Sequence, residues 1–268
     1  MSPAAVMPVC PVDQFAAVPS TESPARRSSS AMLDEVIRKH WRSLEASHKP
    51  SAWEALDRGY GDARRGYHGW EHIAELLGKL DGFQALSARP ALIATAIFWH
   101  DSVYATQAPD GGRRTDLENV RGSAELFLRH TLLNAADAAA VHELIMATAD
   151  HTRAEARKEH YDGFAGDLDL FLDLDLSPLA APWKTFAANL EHIRFEFAWV
   201  PEREFYSSQI AILEGFLRAD ARLFRRAETR KKWLAAAKDN LRFCIDALRA
   251  KLALEPADQD MAAPAKIG

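Results

Sequence analysis

The sequence predicts an all-α fold, a single helical bundle over residues 31–253, on three observations. Apolar residues recur at intervals of three and four through most of the chain, the period of one helix face. The segment ALIATAIFWH, residues 91–100, is apolar all round, as a central helix covered on every side would be. Only one stretch alternates with the period of a strand, and a lone strand would have nowhere to send its backbone hydrogen bonds.

Taken in order, residues 1–30 end in PSTESPARRSSS and are rich in Pro, Ser and Ala without a period, the composition of a disordered arm. Leaders of exported bacterial proteins share this composition. However, MSPAAVMPVCPVDQF lacks a basic start and its apolar stretch is broken by prolines, so the expectation is an arm on a cytoplasmic protein. Trp70, Ile73, Leu76, Leu77 and Leu80 then define one apolar helical stripe, and Pro90 sits where the central helix can begin. A Gly-, Pro- and Arg-containing loop, ATQAPDGGRRTD, follows at about 105–116 and leads to the helix LENVRGSAELFLRH. Such a loop either closes over a site or simply connects two helices. Asn134 is an N-cap candidate for AADAAAVHELIMATA.

Asp and Leu alternate from Asp167 to Leu176 in DLDLFLDLDL, the strand-like stretch. As a helix it puts Leu168, Phe171, Leu172, Asp175 and Leu179 on one face and Asp173 elsewhere, and helix is the reading adopted. Phe186, Leu190, Ile193 and Phe197 mark another helix. Trp233, Ala237, Leu241, Cys244, Ile245, Leu248 and Leu252 mark a long closing one, before a flexible tail at 254–268.

With 268 residues and 48% hydrophobic composition, the chain can bury one substantial core. A net charge of −5 lacks the basic excess that double-stranded nucleic acid requires. No apolar run approaches the ~18 residues of a membrane span. Cys10 and Cys244 encode neither a disulfide framework nor a thiolate zinc site. No particular oligomeric state is implied.

Four features bear on chemistry. In RGYHGWEHI, His68 and His72 are four residues apart, so on a helix both imidazoles face the same way, as a reactive pair or as a hydrogen-bonded one. His100 and Asp101 end the apolar helix, where they must either pair with each other or bind a metal. Asp175 is a carboxylate on an apolar face, either site residue or polar break. His151 either answers the dipole of a helix C-terminus or faces a site.

Together these residues resemble the HD superfamily of metal-dependent phosphohydrolases. YHGWEHI is similar to the motif of cyclic-nucleotide phosphodiesterases, in which Tyr-His-Asn is followed by a second His, and DLSPLAAPW is similar to their late Asp-Leu-Ser. A smaller bacterial group of HD phosphohydrolases is tracked in order by RGYHGWEHI, AIFWHDSVY, NVRGSAELF, IMATADH, FLDLDLS and IRFEFAWVP, over residues 35–250. The resemblance implies one HD-type catalytic domain with the metal between central helices, held by His72, His100, Asp101 and Asp175. Such nitrogen and carboxylate ligands suit Mn, Fe, Co, Ni, Zn or Mg. It further implies His68 as general acid, Asp101 as ligand and base, and Arg194 as a phosphate clamp, although Arg194 alone reads equally as a solvated arginine. Tyr67, Asn119, His151 and Asp173 are implied around the metal or substrate. The substrate implied is a nucleotide or another small phosphate ester.

Three positions depart from the pattern: Gly69 stands for Asn, Val120 for Glu and Gln209 for Arg. Glu118 either replaces the glutamate by a one-residue shift or that polar contact is lost. These departures motivate a second reading, a nucleotide-binding regulatory module without turnover. A third, a two-iron oxygenase of the same fold, would need further ligands from His151 with His142 or His160.

Overall fold

A computed structural model describes residues 24–254; the expected arm up to residue 23 and the tail from 255 lie outside the described residues. Ten α-helices and no strand occur among the described residues. They are α1 (Pro24–Leu44), α2 (Ala52–Tyr60), α3 (Trp70–Phe83), α4 (Pro90–Trp99), α5 (Asp116–His130), α6 (Ala135–Ala147), α7 (Phe164–Leu176), α8 (Trp183–Glu196), α9 (Glu202–Ala219) and α10 (Ala227–Leu254). Helix α1 begins inside the segment expected to be an arm. No helix is long and apolar enough to cross a membrane.

Helix α4 is the centre of the bundle. Its residues from Leu92 to Trp99 are all buried, and α1, α3, α5, α6 and α7 pack around it. Pro90 opens it, as expected, because its missing N–H is one the first turn does not use. Asn134 caps α6 by accepting from Asp137 N at 3.0 Å. Thr115 and Glu118 form a reciprocal capping box at the start of α5. Helices α9 and α10 pack together, and α10 also covers the 3₁₀ turn Ser177–Ala180 after α7.

The alternating Asp-Leu segment is helix α7, buried on nearly all sides rather than along one apolar face. At 100° per residue its carboxylates fan out, and each meets a different partner. Asp167 accepts from Ala88 N at 2.8 Å and Arg89 N at 2.9 Å, closing the start of α4. Asp169 and Asp173, one turn apart, face the segment before α10. The first accepts from Arg225 Nη1 at 3.0 Å; the second accepts from Arg225 N at 2.7 Å, Arg226 N at 2.9 Å and the Thr229 hydroxyl. Asp175 turns the other way, toward the histidines.

Asp173 was expected beside the metal or substrate, and the structure corrects this. It caps α10, and burial pushes its carboxyl up to about 6 in spite of the donors around it. Asp173→Ala leaves the backbone N–H groups of Arg225 and Arg226 without this acceptor. Thermal unfolding should show a loss of about 1–3 kcal/mol, with metal content unchanged.

Candidate metal centre

Side chains from the segment before α3, from α3 itself, from the end of α4, from the turn after α6 and from α7 meet in one cluster. His72, His100 and Asp101 place one ligand atom each within 4.8 Å of one another. Asp175 Oδ1 lies 3.2 Å from His72 Nε2 and 3.4 Å from His100 Nε2, and its Oδ2 lies 2.7 Å from His151 Nε2. Asp101 Oδ2 is 3.1 Å from His100 Nε2 and 3.9 Å from His72 Nε2. The four expected ligands therefore converge, with His151 as a fifth neighbour.

His100 decides what the cluster lacks. Its Nδ1 lies 2.9 Å from the Ile97 carbonyl, an acceptor only, so Nδ1 carries the hydrogen. Its Nε2 is buried and faces two carboxylate oxygens in hydrogen-bond geometry with neither. A neutral imidazole would aim a lone pair at two anions, so a positive charge is needed, either an imidazolium proton or a metal ion. Burial lowers the pKa of His100, but the charges of Asp101 and Asp175 outweigh it and hold the imidazolium well above the usual range. Asp101 and Asp175 are correspondingly held below the carboxylate range, each against the opposing effect of burial. Two imidazoles and two carboxylates, without thiolate, fit a divalent cation.

His68 lies beside this cluster but on no helix. Helix α3 starts at Trp70 with Gly69 as its N-cap, so the spacing of His68 and His72 is a turn followed by a helix rather than one helical turn. Their rings are nonetheless neighbours, 6.4 Å between centroids. Glu196, at the end of α8, organises the turn. Its Oε1 accepts from Tyr67 N at 2.8 Å and His68 N at 2.9 Å, and its Oε2 lies 2.7 Å from His68 Nδ1. Burial lowers the His68 pKa, but Glu196 and Asp101 raise it above 6.5 overall. Tyr104 stacks on the His68 ring at 3.7 Å, and Tyr67 packs against both histidines.

The turn is clamped by backbone as well. Gly66 passes so close to α8 that an added Cβ would lie 2.7 Å from the His192 carbonyl oxygen. Arg65 donates to the Asp101 carbonyl at 2.8 Å and the Ser102 carbonyl at 3.2 Å, tying the turn to the end of α4. Asn119 pairs with both backbone groups of Ala105, at 3.1 and 3.0 Å, and so fixes the loop that carries Tyr104.

Arg194 is the second correction. Its guanidinium donates to the Phe197 carbonyl at 2.6 Å and the Val200 carbonyl at 3.2 Å and lies over the Phe205 ring. It holds the turn between α8 and α9, with its donors turned away from the histidines. The residue of IRFEF that reaches His68 is instead Glu196, a position that no sequence signal singles out. Nor does Glu118 replace the missing glutamate, since it is exposed and engaged with Thr115. Position 69 does not need an amide, because Glu196 orders His68.

A cavity of about 850 Å³ opens onto the cluster and is lined by His68, His72, Asp101, Tyr104, His151 and Asp175 among others. His142 and His160 line a separate groove, where His160 Nε2 lies 2.8 Å from Glu143. Neither a protein-family model nor a curated protein matches the chain.

Proposed function

We propose that the protein is an HD-type metal-dependent phosphohydrolase acting on a small phosphate ester. What carries the proposal is one juxtaposition: an ordered proton donor, His68 on Glu196, beside two imidazoles and two carboxylates, of which His72, Asp101 and Asp175 line one cavity. His72, His100, Asp101 and Asp175 would hold the ion, with His151 supporting Asp175. When bound, a divalent cation lowers the pKa of a coordinated water toward about 7 and polarises a phosphoryl oxygen.

The other steps belong to the chain. Glu196 engages His68 Nδ1, which leaves Nε2 as the nitrogen that gives its proton to the leaving oxygen. Asp101 stays ionised, so it orients the attacking water as an acceptor rather than storing a proton. Tyr104, stacked on His68, covers that imidazole and restricts water around it. The two-iron reading gains only His151, because His142 and His160 lie in the other groove.

The test is metal analysis of protein purified without chelators, followed by phosphate release from a panel of esters with added Mn. Bound metal with release from at least one ester is expected. A chain that binds no metal on titration would sink the proposal. Metal-loaded protein that turns over no ester would support the regulatory reading instead.

A further inference from the structure

Of the three histidines around Asp175, His72 sits in α3 and His100 ends α4, whereas His151 lies on no α-helix. It follows the 3₁₀ turn Thr148–Asp150, at the start of an irregular stretch that runs to α7. Its Nε2 nonetheless meets Asp175 Oδ2 at 2.7 Å. A ring on such a stretch keeps its aim only if its backbone is fixed from elsewhere.

Arg225, in the segment before α10, supplies that fixture. Its Nη2 donates to the His151 carbonyl at 2.5 Å, and its Nη1 donates to Asp169 Oδ1 at 3.0 Å. The side chain is only 9% exposed, so both charge-assisted bonds are made largely out of water, where they are strong. Asp173 holds the Arg225 backbone N–H, while Asp169 aims the guanidinium. Asp169 and Asp175 belong to the same helix, so the contacts close a ring. It runs from α7 at Asp169 through Arg225 to the His151 carbonyl, and through the imidazole back to α7 at Asp175.

We infer that Arg225 is a positioning residue: held by Asp169, it fixes His151 and, through His151, the carboxylate that Asp175 turns toward His72 and His100. The consequence for an ion rests on the metal-binding half of the proposed function, not on hydrolysis. With Oδ2 engaged by His151, Oδ1 is the oxygen left on the side of the other two histidines. Groups that orient a metal ligand from behind are worth about 10–100-fold in metal affinity. The planar fork of arginine meets two acceptors at once, which the single ammonium of lysine on its flexible stem does not reproduce.

Two measurements on the full chain test this. In chelated protein labelled with ¹⁵N-histidine, the imidazole N–H signal of His151, assigned with His151→Ala, reports its hydrogen bond to Asp175 without any ion. That signal should shift or vanish in Arg225→Gln and Arg225→Lys. It should stay in place in Asn134→Ala, which weakens the fold by removing the α6 cap. Calorimetric titration with Mn should then show Arg225→Gln binding about 10–100-fold more weakly than the parent, with Arg225→Lys rescuing only part of the loss. In a His151→Ala background the same substitution should cost little more, because its path to Asp175 is gone. A His151 signal that ignores both Arg225 variants, or an equal loss of affinity with and without His151, overturns the inference. A signal that depends on Arg225 in a chain that binds no Mn supports the positioning role and removes only the metal reading.

Discussion

Asp175→Ala is expected to strip tightly held metal from the protein and to abolish phosphate release. Among the described residues, Asp175 is the one carboxylate within 3.4 Å of His72, His100 and His151 together, and its side chain is only 10% exposed. Loss of a group that merely supports a ligand costs 10–100-fold in metal affinity, so removal of a ligand should exceed about 10²-fold. The chelated protein should suffer as well. Breaking a buried ionic network by deleting one partner costs about 3–5 kcal/mol, which for a chain of this size lowers Tm by roughly 10 °C. Metal analysis and calorimetry of the chelated variant separate the two effects. A variant with undiminished metal content would remove Asp175 from the ligand set.

The helical fold was legible because its signal is local. A period of three and four residues needs no knowledge of partners, and α4 announced its central place by being apolar on all sides. The candidate cluster was legible for a different reason: the resemblance of the ordered motifs implied His72, His100, Asp101 and Asp175 together, and the structure brings these four side chains side by side. What the sequence hid depends on tertiary facing. Arg194 and Glu196 stand two residues apart, about 200° around α8, so one holds the turn to α9 and the other reaches His68. Periodicity marks Phe186, Leu190 and Ile193 on that helix but is silent about which polar neighbour turns toward the site. The helical reading of α7 already turned Asp173 away from Asp175, but it could not supply the partners of Asp173, which are backbone N–H groups before α10, some fifty residues later in the chain. The four-residue spacing of His68 and His72 suggested a helix only because nothing local reveals that Glu196 holds Tyr67 and His68 in the turn before α3.

On the proposed mechanism, in which His68 moves a proton without holding the ion, His68→Ala should lower kcat by about 10² to 10⁴ while leaving metal content intact. Glu196→Gln gives the sharper test, because it keeps the shape of the side chain but removes its charge. Burial alone would take the His68 pKa down, and the hydrogen bond that His68 donates to Glu196, with the charge of Asp101, brings it above 6.5. The protonated form is the competent one, so activity should persist below this raised value and fall as pH rises through it. With Gln at 196 the descending limb should move to lower pH, a shift that a purely structural role for Glu196 would not cause. Stability carries the same signature. The raised pKa of His68 makes its share complete below 6.5 and lost as pH rises through the folded value. The depressed pKa of Glu196 makes its share present above 4.5 and lost as pH falls through the folded value. Urea unfolding should therefore show the cost of Glu196→Gln greatest between pH 4.5 and 6.5 and smaller on either side. A cost that is flat across this range would mean that the two side chains are not an ion pair in solution.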